Sequence, residues 1–193
     1  MEQSVSSSTA KAAKPLLWIG MASMAMAFAG LTSGYVVARS ALVAKGQWAE
    51  VPLPTWFWAS TALVVVGSVL MQRALAQAKR GNQGQMVSAL WLAVLVGLGF
   101  LVTQFLGGRE LLAQGYYFTG PQSTQAGSWL YVIAWFHWMH ALAGTIVLLV
   151  TARQGSKAAY GPENWAGLDR AGLFWHFLDG LWIYLVLFLA FLR

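Results

Sequence analysis

All three histidines of this chain lie in two short stretches, Phe136-His137-Trp138-Met139-His140 and Trp175-His176-Phe177-Leu178-Asp179-Gly180-Leu181-Trp182. Each stretch falls inside a long apolar run. Imidazole and carboxylate groups are costly in hydrocarbon, so they face protein or water and have partners there. On a helix, residues three apart share a face, which pairs His137 with His140 and His176 with Asp179. Three chemistries suit such a set: a buried hydrogen-bonded pin between helices, a proton relay, or ligation of a metal or haem. A His-x-x-His pair on a helix needs further ligands to hold a metal, and Asp179 is the one carboxylate inside an apolar run. Bis-histidine haem would draw on His137 or His140 with His176. A two-haem membrane cytochrome would need four histidines.

The elements that carry these residues are membrane spans. Of the 193 residues, 58% are hydrophobic and 9% charged, against about a quarter charged in a soluble domain. Mean hydropathy is +0.58. The absence of cysteine excludes disulfides, iron–sulfur clusters and thiolate metal sites. The net charge of +6 does not point to nucleic acid, because the basic residues sit in short loops between apolar runs. Eleven Trp and six Tyr suit rings at lipid interfaces and between packed helices.

The polar segment 1–14 reads as a flexible cytoplasmic tail, and 15–193 as a single membrane domain of five helices, an all-α bundle. The helices are expected at about 16–37, 54–75, 85–106, 128–152 and 171–192, each near the roughly 20 residues that cross a bilayer. The first run is too long for a signal-peptide core of about 7–15 residues, so it reads as an uncleaved helix. Its small residues, among them Gly20, Ala27, Gly30 and Gly34, suggest close helix contact. Trp56 and Trp58 read as interfacial belt residues, and Gly107-Gly108 as the break after the third helix. The greater share of bases (Lys11, Lys14, Arg73, Lys79, Arg80, Arg153, Lys157, Arg170) falls on the side of the amino terminus. The positive-inside rule therefore puts the amino terminus in the cytoplasm and the carboxyl terminus outside.

With that topology, depth follows from rise. His140 lies roughly 18 Å below the outer entry of the fourth helix, at about 1.5 Å per residue. Asp179 lies at matching depth in the fifth, so the spacing predicts a His140–Asp179 pair within a buried cluster of His137, His140, His176 and Asp179. Gln104 reads as a packing residue. Arg153, at the inner end of the fourth helix, reads as an anchor and a candidate contact for lipid phosphate. No nucleotide loop, nucleophile–base pair or paired carboxylate is visible.

The motif Trp175-His176-Phe177-Leu178-Asp179 with Trp182 resembles the Trp-His-Phe-(Val/Leu)-Asp…Trp signature in the last helix of subunit III of haem–copper terminal oxidases. Phe136-His137-Trp138-Met139-His140 with Gly144 resembles that family's Phe-His-Gly-Leu-His…Gly. Pro52-Leu53-Pro54, Gln104 with Glu110-Leu111 and Gly115, and Arg153-Gln154 agree with the short, five-helix bacterial form. The likeness runs from about Leu16 to the end. It departs in two places. Met24 stands where many members carry a buried glutamate, so a proton role of that carboxylate and its reactivity to carbodiimide are expected to be absent. Trp138 replaces a small residue, which suggests a different neighbour.

The resemblance implies an accessory subunit without a redox centre of its own. Its complex would be a proton-translocating, oxygen-reducing oxidase of the cytochrome c oxidase type in a bacterial cytoplasmic membrane. Haem and copper would sit in the partner subunits I and II. This chain would pack on subunit I, bind phospholipid and support proton uptake and stability. The family pattern puts Arg153 at a lipid phosphate and the three histidines with Asp179 in the buried cluster. Donor choice, cytochrome c or quinol, lies in subunit II. Two other readings stay open: a subunit III-like partner of a nitric oxide reductase, and a free-standing b-type haem or quinone-binding protein.

Overall fold

The computed structural model describes the backbone of residues 2–192 and the side chains of residues 13–192. The described residues form five α-helices: α1 (Glu2–Val43), α2 (Thr55–Lys79), α3 (Gln83–Ala113), α4 (Gln125–Ser156) and α5 (Ala166–Phe191). All five are long and apolar enough to cross a membrane. The expected class therefore holds, while each helix is longer than expected. Pro15 stands inside α1. The tail expected at 1–14 falls mostly on residues whose side chains, 1–12, lie outside the described ones.

Helices α2, α3, α4 and α5 close a four-helix ring, each touching the next and α5 returning to α2. Helix α1 lies outside this ring, packed on α4 and α5. Its apolar stretch is 17% buried against 44% for α3, which marks it as the peripheral helix. Its buried residues, Met21, Phe28, Thr32 and Tyr35, follow one narrow seam. The small-residue face expected to seat another helix is mostly unused. Gly20 and Gly30 have nothing near them, and only Gly34 is filled, by Trp129.

The ring is built by large rings entering glycine gaps. A Cβ on Gly107 would stand 2.6 Å from Phe57 Cε1. This is why Gly107-Gly108 does not end α3, which continues to Ala113. The glycine is there for close approach, not for a break. Hydrogen bonds tie the bundle ends. At one end Thr55 Oγ1 donates to Glu110 Oε2 at 3.0 Å, and Tyr35 OH to the Leu192 carbonyl at 3.0 Å. At the other, Trp91 Nε1 donates to Ser156 Oγ at 3.1 Å, and Lys79 lies 4.3 Å over the Trp165 ring. This second end, with Lys14, Arg73, Arg80, Arg153, Lys157 and Arg170, is called the basic end below. Trp56 and Trp58 are exposed at the opposite end, as belt residues should be.

Candidate functional site

Helix α5 turns one face into the middle of the bundle. Its Trp175, Leu178, Trp182, Leu185 and Leu189 are buried and repeat at three, four and seven residues, one face of a helix. Trp175 meets a glycine from each of the other three ring helices. A Cβ on Gly67 of α2, Gly97 of α3 or Gly144 of α4 would fall 3.0, 3.1 or 3.6 Å from its ring. Leu178 takes the rest of the gap on α4, where a Gly144 Cβ would stand 2.5 Å from its Cδ1.

Asp179 is one position on from Leu178, about 100° round the helix. It therefore faces α2, where Ser68 Oγ donates to its Oδ2 at 2.5 Å. The same hydroxyl lies 2.9 Å from His176 Nδ1. A hydroxyl has one proton to give, so a Ser68 that donates to Asp179 accepts from an Nδ1–H of His176. The three residues make one hydrogen-bonded unit joining α5 to α2. Asp179 is buried, while His176 is half-buried and lines a groove of about 220 Å³ with Lys14, Trp18, Gln72 and Asp169.

His137 stands elsewhere. It is buried among rings, stacked on Trp182 (5.1 Å between centroids, 28° between planes), with Phe100 at 5.8 Å and Phe28 at 6.1 Å. Phe57 closes on Trp182 at 5.2 Å. One ring from each of the five helices thus meets in a single aromatic hub. Its polar ends are tied where they can be: Trp182 Nε1 donates to Thr61 Oγ1 at 3.2 Å. His137 Nδ1 is buried without a hydrogen-bond partner.

His140 is turned towards α1. Its Nδ1 is 2.7 Å from the Phe136 carbonyl one turn back, and its ring lies 5.6 Å from Phe28. The pair expected between His140 and Asp179 is thus replaced by Ser68–Asp179, and the expected four-residue cluster is divided among three places. Azimuth sends Asp179 to α2 and His140 to α1. Ser68 was not legible beforehand, since a serine in an apolar run carries no signal of its partner. Among the described residues, no three of the His, Asp and Glu side chains come together as metal ligands.

The remaining sites behave more simply. Gln104 is buried and donates from Nε2 to Ser60 Oγ at 2.8 Å, tying α3 to α2. Trp138, in the place of a small residue, gives its Nε1–H to the Leu101 carbonyl at 3.2 Å and so binds α4 to α3. Met24 is half-buried on the α1 seam. Arg153 is exposed in the last turn of α4.

A family model described as cytochrome c oxidase subunit III matches residues 48–192, which take in the whole four-helix ring. The chain belongs to that family. It is 28% identical over 172 residues to cytochrome c oxidase subunit 3 of Corynebacterium diphtheriae, covering 87% of this chain and 82% of that protein. It is 26% identical over 181 residues to the probable cytochrome c oxidase subunit 3 of Mycobacterium tuberculosis H37Rv, covering 92% and 86%. A third relative is the cytochrome bo(3) ubiquinol oxidase subunit 3 of Pseudomonas aeruginosa, 29% identical over 123 residues, 64% of this chain and 57% of that protein. The subunit III signature therefore coincides with the inward face of α5: its tryptophans fill the core, and its histidine and aspartate face α2. Helix α1, with Met24, lies outside the residues that the family model matches.

Proposed function

We propose that this chain is the non-catalytic third subunit of a proton-translocating haem–copper oxygen reductase. It packs on subunit I and steadies the complex during turnover. The observation that supports this best is the family match across α2–α5, with the signature's polar groups spent on helix pairing. The Ser68–His176–Asp179 unit and Gln104–Ser60 join helices, and His137 is enclosed by rings. Haem and copper then belong to subunits I and II, which perform the oxygen chemistry. The excess of positive charge at the basic end supports a cytoplasmic side for that end and for the amino terminus in a bacterial cell, with the carboxyl terminus outside. Arg153, exposed there, reaches the phosphate level of the inner leaflet.

The experiment is purification in mild detergent on an amino-terminal tag, with mass spectrometry of partners and a reduced-minus-oxidised spectrum. A haem-containing subunit I with oxygen consumption is the expected result. A chain that comes out alone, coloured or colourless, refutes the reading. The likeness to a ubiquinol oxidase subunit supports one second reading, a quinol-oxidising complex. The identity of the co-purifying subunit II decides between the donors.

A further inference from the structure

Helix α1 is not packed against α2. The gap between them, over α5, is the groove of about 220 Å³ at the basic end. Its mouth carries Lys14 of α1 and Asp169, in the first turn of α5. His176 lines the same groove seven residues further along α5, about 10 Å deeper. The groove therefore leads from the membrane surface to the edge of the Ser68–His176–Asp179 unit. His176 presents Nδ1 to Ser68, while its Nε2 makes no hydrogen bond among the described residues. That second nitrogen is left for water in the groove.

Asp179 has no cation beside it in the membrane. The helices packed on α5 are α1, α2 and α4. Lysine and arginine are absent between Lys14 and Arg39 of α1, from Thr55 to Gln72 of α2 and from Gln125 to Ala152 of α4, and on α5 itself from Ala171 to Phe191. The other titratable groups of these helices point elsewhere. On α4, Tyr131 bonds backbone carbonyls, His137 stacks on Trp182, and His140 bonds the Phe136 carbonyl. On α1, Tyr35 bonds the Leu192 carbonyl, and on α5 Tyr184 turns to Thr32. His176, through Ser68, is thus the titratable partner of Asp179. The three groups close the same hydrogen bonds with two placements of protons. In one, His176 Nδ1–H donates to Ser68, and Ser68 to a carboxylate. In the other, a protonated Asp179 donates to Ser68, and Ser68 to the bare Nδ1 of an imidazole that carries its hydrogen on Nε2. The second placement holds one proton more and moves no heavy atom.

We infer that Ser68, His176 and Asp179 form a proton-binding site that is filled from the basic end. A hydronium ion in the groove gives its proton to His176 Nε2, forming that N–H bond and leaving water. The Nδ1–H bond then breaks as Ser68 Oγ takes its proton, the earlier Ser68 O–H bond breaks, and an O–H bond forms at Asp179 Oδ2. One proton has been bound, and the imidazole is neutral again in its other tautomer. The pair titrates as a unit. The site is a store and not a channel. Outward of Asp179 the next turn of α5 brings Trp182, Ile183 and Val186, and the Thr61 hydroxyl of α2 is held between Trp182 Nε1 and the Phe57 carbonyl. Both placements keep α2 joined to α5, so the proton binds without opening the bundle. The inference rests on the membrane bundle alone and not on which oxidase the chain serves.

The test uses the full-length chain in mild detergent and infrared difference spectra after a pH jump. As pH falls, the C=O band of a protonated carboxyl is expected to appear together with the imidazole bands of the Nε2–H tautomer. Both changes are expected to be absent in Asp179→Asn. His176→Phe leaves Ser68 on Asp179 but removes the relay, and is expected to slow filling on the order of a hundredfold, the low end for a positioned proton-transfer group. Equal rates in the wild type and His176→Phe overturn the proposal. So does a wild type with no Asp179-dependent band at any pH at which it stays folded. If His176→Phe fails to fold by circular dichroism, the wild-type spectra decide alone: a carboxyl band that titrates while the imidazole keeps one tautomer overturns the relay. In vesicles sorted so that the amino-terminal tag faces outward, an external pH jump is expected to fill the site faster than an internal one. Equal filling from both sides overturns entry from the basic end. Partner co-purification is read separately, so this proposal and the accessory-subunit reading fail independently.

Discussion

Ser68 is the residue on which the polar link between α2 and α5 turns, and its removal can be given a size. In Ser68→Ala, Asp179 Oδ2 loses a donor at 2.5 Å and His176 Nδ1 a partner at 2.9 Å. Asp179 is 5% exposed, so water cannot fully replace the hydroxyl. A buried polar group left unpaired costs about 1–3 kcal/mol, whereas hydrogen bonds between membrane helices average nearer about 0.6 and reach about 1.7. His176 is half-buried and rehydrates through its groove, which argues for the lower part of the first range. The expected loss is about 1–2 kcal/mol, or roughly 2–8 °C by the scaling of soluble domains of this size. The assay is a double-mutant cycle of Ser68→Ala with Asp179→Leu, followed by tryptophan fluorescence during detergent-induced unfolding. Coupling of at least about 0.5 kcal/mol is expected for contacting residues. A parallel cycle of His140→Ala with Asp179→Leu should show none. Coupling in the second cycle and not in the first would refute the pairing and restore the one expected from depth.

Gly144→Ala drives a Cβ to 2.5 Å from Leu178 Cδ1 and should destabilise by about 1–3 kcal/mol in thermal unfolding. Gly180→Ala meets nothing within 4 Å and should be neutral or slightly stabilising in the same measurement. Helix α2 starts after Pro54 with no side-chain cap of its own, and Glu110 of α3 serves instead through Thr55 and the Trp56 amide. Glu110→Ala should therefore cost about 1 kcal/mol, with hydrogen exchange rising first in the opening turn of α2. Burial pushes the Tyr160 hydroxyl above its ordinary value of 10.0, against smaller opposing effects of the Thr151 hydrogen bond and the Arg170 charge. The folded state holds this proton more tightly than the unfolded state. The resulting stabilisation is complete below pH 10 and is lost as pH rises through the folded value. A flatter alkaline limb of Tm against pH in Tyr160→Phe checks this; an unchanged limb would remove Tyr160 as a contributor.

The sequence by itself determined the number of helices, because an apolar run long enough to cross hydrocarbon has no other way to satisfy its backbone. It also determined the order of the polar residues along each helix, since that is position along one axis at a fixed rise. The motif around Trp175 was legible as the centre of the chain for the same reason: bulky rings and a buried carboxylate together demand a packed environment. Partner identity was not legible. Asp179 reaches Ser68 and not His140 because Leu178 and Trp175 claim the glycine gaps of the other helices, and that choice fixes the rotation of α5. Gly107-Gly108 looked like a stop, yet it is a seat for Phe57, because glycine permits both a turn and a close approach and only the neighbour decides. The small face of α1 looked like a contact surface, but a closed ring of α2–α5 leaves α1 only the α4–α5 seam. The groove at His176 arises from that same exclusion. Its walls come from three helices distant in sequence, and only their packing opens a path from the basic end to His176.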